Sequence, residues 1–328
     1  IDLLWNDKPK PKSEQALLLD EKFTGKSSVI KRAEIAKKLR AQNIDSAFIT
    51  QLDSIAWLLN IRGTDVPCNP VLLCHAIIHQ DASLDLFINL IKIPDGFFNH
   101  VGKNVNLFQP NDLKNQIKKL TTKKVLYDIN GSNAYCAQLL TSVNAEIIHG
   151  NDPCELPKAC KNNIEIDGMK ACHIRDAIAE CEFLSWFDNQ IKKGDLTDEG
   201  ALSDKLDGLR SKQKMFKGLS FGTISAAASN AAMCHYNHLN QDLPGKLQMD
   251  SVYLVDSGGQ YLDGTTDITR TIAVGNPSDF IKKMFTLVLK GHISLACARF
   301  PKGIGGQHLD TLARQFLWHH GYDFDHGT

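Results

Sequence analysis

Hydrophobic and polar positions change their spacing several times along the chain, and each change marks an element. Val29, Ile30, Ile35, Ala36 and Leu39 share one helical face with Arg and Lys on the other, so a helix is expected from about residue 28 to 42. Ala47 to Thr50 reads as a strand, Asp53 to Leu59 as a short helix, and Val71 to Ile78 and Leu84 to Leu90 as two further strands. Pro110 to Leu120 has helical spacing, Lys124 to Ile129 that of a strand, Asn133 to Thr141 that of a helix, and Ala145 to His149 that of a last strand. Strands alternating with helices predict an α/β domain over residues 28–157. Before it, residues 1–27 carry Lys8-Pro9-Lys10-Pro11-Lys12 and no sustained period, and read as a linker. After it, Met169, Cys172, Ala177, Phe183, Leu184 and Phe187 are spaced for a long amphipathic helix over Ile164 to about Ile191. Thr197 is the expected cap of the next helix, ahead of Asp198 and Glu199. Leu219 to Phe221 leads into Thr223 to Ser225 and a small-residue loop, Ala226 to Ala232, where backbone can approach a ligand closely. Two helices, Asp279 to Ala298 and Gln307 to His320, end the pattern.

The stretch from Ser251 to Thr271, S-V-Y-L-V-D-S-G-G-Q-Y-L-D-G-T-T-D-I-T-R-T, carries the candidate chemistry. Val252 to Val255 is an apolar, partly β-branched run ending in Asp256, and Ser257-Gly258-Gly259 offers the residues of a hairpin turn. In the returning strand, period two places Thr265, Asp267 and Thr269 on one face and Ile268 and Arg270 on the other, so Asp267 points where Asp256 points. Two carboxylates on neighbouring strands raise each other's pKa unless something compensates them. A divalent metal is the simplest compensation, and oxygen-only ligands suit Mn²⁺, Mg²⁺ or Zn²⁺. The same residues also have an ordinary reading, since Asp-Gly and Ser-Gly-Gly are common turn chemistry. Asp263, nearer the turn, reads as structural.

Charge narrows the partners. Lys plus Arg equals Asp plus Glu at 37 each, which leaves no global attraction for nucleic acid or an anionic membrane. No run of 18 or more apolar residues occurs in the 328. Nine scattered cysteines without a C-x-x-C pair point to free thiols in a reducing, cytoplasmic setting and not to a disulfide framework. H-E-x-x-H, G-x-S-x-G, P-loop and G-x-G-x-x-G patterns are absent. His173 reads as a surface histidine, and Arg62 with Asp65 as a solvated pair.

The string D-S-G-G-Q-Y-L-D-G-T-T-D-I-T-R-T resembles the first metal-ligand segment of the pita-bread metallopeptidases, in the version of the aminopeptidase P (Xaa-Pro aminopeptidase) family. I-A-W-L-L-N-I-R-G-T-D-V and K-A-C-H-I-R-D-A-I-A-E-C-E are similar to that family's segments as well. The resemblance implies a creatinase-type, ribonuclease-H-like α/β domain over 28–157, followed by a pita-bread catalytic domain over 158–328. It implies two divalent metal ions, Mn²⁺ by preference, with Asp256 chelating one and Asp267 shared by both. His235, in M-C-H-Y, matches the family's histidine that contacts substrate and serves the leaving nitrogen, although a lone histidine is more often a satisfied core residue. His238 is a lesser rival, because the segment runs one residue longer than the family's. His326, in D-F-D-H-G-T, matches a histidine lining the substrate site, while a further ligand histidine and two glutamates would fall past Thr328. The chain is therefore expected to be a piece lacking the family's N-terminal domain and the end of its catalytic domain, inactive by itself. The implied parent is a cytoplasmic, homodimeric metalloaminopeptidase that hydrolyses the N-terminal bond of peptides with proline in second position. Two other readings stand beside it. A prolidase or creatinase type would be told apart by trials of Xaa-Pro dipeptides against longer peptides, and a non-catalytic pita-bread peptide-binding module would be expected to lose the aspartates.

Overall fold

The computed structural model describes residues 4, 5, 7, 9 and 14–327, and within it the chain packs as two compact units. The first comprises Ile1–Ala177 with Gln213–Phe221 and Gly258–Thr266, and the second comprises Ile178–Lys212, Gly222–Ser257 and Asp267–Thr328. Lys8, Lys10, Pro11 and Lys12 of the expected linker, and Thr328, lie outside the described residues.

In the first unit Ser27 caps α1 (Ser28–Ala41), its side chain accepting from the Ile30 N–H. Ile35, Ala36 and Leu39 are buried as the spacing predicts, but Val29 and Ile30 stay exposed while Lys31 and Arg32 are buried. The reason is that both long basic chains find carbonyl acceptors inside. Lys31 Nζ donates to the Trp57 carbonyl at 3.0 Å and Asn60 Oδ1 at 2.7 Å, and burial still pulls its pKa down to about 8. Arg32 donates to the carbonyls of Ala82, Val101 and Lys103.

The sheet of this unit has six strands, β1 (Ser46–Ile49), β2 (Cys74–His79), β3 (Leu84–Ile88), β4 (Val105–Phe108), β5 (Lys124–Tyr127) and β6 (Glu146–His149). Their order is β4-β3-β2-β1-β5-β6, with β1, β5 and β6 mutually parallel and β2 antiparallel to both β1 and β3. Helix α2 (Leu52–Leu59) follows β1, and α3 (Ala134–Ser142) joins β5 to β6. All four residues of β1 are buried because both faces of the sheet are covered. Ala47, Ile49, Ile78 and Leu86 enter one apolar cluster with Leu58, and Phe48, Ile77, Phe87 and Val125 enter the other with Leu140. Strand β4 has no counterpart in the sequence reading, since Asn104 and Asn106 interrupt its short apolar pattern. The expected helix over Pro110 to Leu120 is broken into a 3₁₀ turn, one helical turn at Leu113–Gln116, and a second 3₁₀ turn. Residues 16–24 are part of the unit and not a free linker: Leu17–Leu18 pairs with Ile61–Arg62, and Ala16 and Leu19 are buried.

Arg62 and Asp65 are not a solvated pair. Arg62 donates to the carbonyls of Ala56 and Ile61, and Asp65 forms a buried ion pair with Lys92 while accepting from the Leu73 N–H.

Helix α4 (Asn163–Lys193) contributes Phe183 and Phe187 to the core of the second unit, where they pack with Leu202 and Leu206 of α5 (Glu199–Arg210). The cap of α5 is Asp198, whose Oδ1 accepts from the Ala201 N–H at 2.9 Å, and not Thr197. The later strands are β7 (Phe216–Leu219) and β10 (Gly259–Tyr261) in the first unit, and β8 (Ile224–Ala227), β9 (Ser251–Ser257) and β11 (Ile268–Val274) in the second. Strands β8, β9 and β11 make an antiparallel sheet in the second unit, with β9 central. Helices α6 (Asp279–Ala296) and α7 (Gly306–Trp318) pack closely at Gly291, where a Cβ would stand 2.2 Å from the Ala313 carbonyl oxygen.

Candidate metal centre

Strand β9 is apolar on one face, with Tyr253 and Val255 buried, and Asp256 lies on the other face near its end. The register pairs Asp256 with Thr269 of β11. Asp267 stands two residues before Thr269, so it belongs to the same face as Asp256, diagonal to it. Oδ1 of Asp256 is buried and has no hydrogen-bond partner. Burial pushes the Asp256 carboxyl above the usual carboxylate range; the Thr269 hydroxyl eases this and the neighbouring Asp267 carboxylate adds to it. Asp267 itself is exposed. An orphaned carboxylate oxygen beside a second carboxylate is a donor set that fits a hard divalent cation. Among the described residues no group of three or more His, Cys, Asp or Glu side chains could hold a metal, so these two aspartates by themselves would not complete a metal site.

The connection between them differs from a hairpin turned at Ser257-Gly258-Gly259. Residues 258–266 pair within the first unit, where β10 runs antiparallel to β7 and the tight turn falls later, closed by the Tyr261 N–H donating to the Gly264 carbonyl at 2.8 Å. Gly258 is needed for close approach: a Cβ there would sit 2.0 Å from the Thr266 carbonyl oxygen and 2.3 Å from Ser220 Oγ. Asp263 in the turn forms an ion pair with Arg175, in keeping with a structural part.

His235 is exposed, with left-handed backbone at φ 54°. Its neighbour Tyr236 is 2% exposed and donates from its hydroxyl to Glu199 Oε2 at 2.8 Å. Glu199, fully buried, also accepts from the Ala227 N–H (2.7 Å), Asn230 Nδ2 (2.9 Å) and the Gly245 N–H (2.8 Å), and so gathers the whole loop that carries His235. Burial would raise the Glu199 carboxyl, but these four donors outweigh it and hold it below the usual range. The sequence reading missed this residue; its only signal was an acidic side chain in the first turn of α5, which reads as dipole compensation. His238 is buried, with Nδ1 unpartnered, and so is placed differently from His235. His326 is exposed near the end of the described chain, its Nδ1 2.9 Å from the Gly327 carbonyl oxygen and its own carbonyl accepting from Arg314 at 2.6 Å. The structure thus brings Asp256 and Asp267 together and does not gather His235 or His326 with them into a cluster able to hold a metal. His173 is exposed, as the sequence predicts.

Comparison with known proteins adds a second line. Residues 7–165 match the Creatinase/Prolidase N-terminal domain, and residues 167–328 match Metallopeptidase family M24. A relative from Aspergillus fumigatus, named "Probable Xaa-Pro aminopeptidase P", is 39% identical over 340 aligned positions that take in 100% of this chain and 51% of the relative. Among solved structures, X-prolyl aminopeptidase from Caenorhabditis elegans, described as a cytosolic enzyme with a di-nuclear active site, superposes with a TM-score of 0.91 at 36% identity, over 100% of this chain and 54% of its own. Xaa-Pro dipeptidase from Bacillus anthracis shares the fold, with a TM-score of 0.67 at 20% identity over 92% of this chain and 81% of its own. The fold is that of this α/β class, a creatinase-type part followed by a pita-bread part. The chain spans about half the length of the curated relatives it matches.

Proposed function

Because the chain belongs to metallopeptidase family M24 over residues 167–328 and carries a creatinase/prolidase N-terminal domain over residues 7–165, we propose that its protein is a metal-dependent Xaa-Pro aminopeptidase. The observation that carries this is the placement of Asp267, two residues before the Asp256 register partner Thr269, beside Asp256, with a buried, partnerless Oδ1 on the latter. Asp256 and Asp267 would hold part of a centre of two divalent ions, Mn²⁺ by preference. When bound, such a pair supplies a water acidic enough to attack at neutral pH and polarises the scissile carbonyl.

The remaining work falls to the chain's own residues. Asp256, with Oδ1 unused by any protein donor, keeps a lone pair free for a cation, while Thr269 beside it orients the carboxyl. His235 is held out to solvent between a left-handed backbone and the anchored ring of Tyr236, a placement suited to passing a proton to the leaving amine. His326 would line the substrate by hydrogen bonding. The substrate is a peptide with proline second, and the protein is a cytoplasmic homodimer that uses neither nucleic acid nor membrane. Among the described residues no helix is long and apolar enough to cross a membrane.

The test is hydrolysis by the full-length protein supplied with Mn²⁺. Asp256→Asn and Asp267→Asn should each lower kcat/KM for an Xaa-Pro-containing tripeptide by more than about 100-fold, the upper range for losing even a partner that only supports a ligand. Faster turnover of Xaa-Pro dipeptides than of longer peptides would move the assignment to the prolidase type, and saturable peptide binding with no turnover would move it to a binding module.

A further inference from the structure

The first unit contains a cluster of acidic side chains that the metal centre does not use. Strands β1, β5 and β6 run parallel, so their carboxyl ends share one edge of the sheet. Open α/β sheets bind ligands in the crevice outside the carboxyl ends of such strands. Here Asp53 follows β1, Asp128 follows β5 and Asp152 follows β6, and with Ser54, Glu155 and Lys158 they line a cavity of about 240 Å³. Four acidic residues and one lysine are thus among its lining.

Most of these groups already have partners. Asp128 Oδ1 accepts from the N–H groups of Asn130 (3.0 Å) and Gly131 (3.1 Å), and its Oδ2 accepts from the Asp152 N–H at 3.3 Å. Lys158 is paired with Asp53, and its Nζ lies 3.5 Å from Ser54 Oγ. Asp152 differs. It is 8% exposed, its Oδ1 accepts from the Cys154 N–H at 2.7 Å, and its Oδ2 is buried without a hydrogen-bond partner. Burial pushes its carboxyl above the ordinary range, and the Cys154 N–H, the Ser54 hydroxyl and the Lys158 charge do not reverse this. A buried carboxylate oxygen left without a donor is costly, and a bound donor would remove the cost.

The arrangement also selects the kind of donor. Among the described residues no three acidic, His or Cys side chains close on one point as a metal requires. Acceptors spread around a cavity of this size fit instead a cation whose N–H donors are spread in a plane, which is guanidinium. We propose that the creatinase-type unit holds a second binding site, at the carboxyl ends of β1, β5 and β6, for the guanidinium group of an arginine, with Asp152 Oδ2 as its buried acceptor.

The site is tested on the full-length protein by isothermal titration with N-acetyl-arginine methylamide, free arginine, the lysine counterpart of the first compound, and MnCl₂. Saturable binding of the blocked arginine is expected, weaker for the lysine compound and absent at this site for Mn²⁺. Equal binding of free arginine identifies the ligand as a small guanidino compound, and preference for the blocked form identifies an arginine within a peptide; either supports the site. Asp152→Asn should weaken binding about 30-fold or more, the range for truncating one partner of a buried charged pair. Glu155→Gln, at an exposed position that cannot compromise folding, should weaken it roughly threefold, as for a rim charge. Absence of saturable binding by either arginine compound, binding undiminished in both variants, or Mn²⁺ binding lost with the same substitutions would overturn the proposal. None of these readouts is peptidase activity, so the outcome is independent of the metal centre.

Discussion

A single buried carboxylate, Glu199, fixes the loop that presents His235, and its energetics are read from its donors. Glu199→Gln keeps the shape but strands at least one of the Ala227, Asn230, Tyr236 and Gly245 donors, an expected loss of about 3 kcal/mol in urea unfolding near neutral pH. A carboxyl held below its unfolded-state value stabilises above that value, and the stabilisation disappears as pH falls through the folded-state one. The difference between wild type and Glu199→Gln should therefore stay level above about pH 5 and shrink as pH falls below about 4; a constant difference would contradict the role given to its charge. At this scale the closeness of Asp256 to Asp267 was legible because a period of two places side chains on a face without knowledge of the rest of the fold. Glu199, Lys31 and Asp65 were not. Each is an ionisable side chain whose burial is decided by carbonyls, N–H groups or a counter-ion brought in from distant sequence, and a sequence read by hydropathy places such residues outside.

Among the elements, β9 follows from its apolar, β-branched run and β11 from the period-two return after it, yet the piece joining them does not form the turn that Ser257-Gly258-Gly259 suggests. Two adjacent glycines serve a turn or a close backbone approach equally well, and local chemistry cannot distinguish these. The approach distance at Gly258 can. Gly258→Ala should cost about 3 kcal/mol through overpacking against Thr266 and Ser220, measured by thermal or urea unfolding. A neutral effect would show that the position only needs turn flexibility. The same ambiguity explains the misplaced cap of α5: Thr197 and Asp198 are both good capping residues, and only the Asp198 side chain reaches the Ala201 N–H. Strand β4 escaped notice because four residues with polar neighbours carry too short a period to stand out, whereas the six-residue β2 did not need its exact ends to be found.

For the whole molecule, each of the two units encloses its own apolar core, and the alternation of helices and strands was sufficient to expect an α/β arrangement. Leu206, fully buried with Phe183 and Tyr253, anchors the core beneath the sheet that carries Asp256. Leu206→Ala should cost about 3 kcal/mol, read by the fluorescence of Trp186, which packs on the same core. Family membership and the placement of the two aspartates motivate the proposal that this face of β9 and β11 holds divalent cations. Crystals of the full-length protein grown with Mn²⁺ and measured across the manganese absorption edge test it most directly. Two anomalous peaks are expected, one against Asp256 and both against Asp267; strong manganese peaks elsewhere, with neither aspartate touching one, would contradict it.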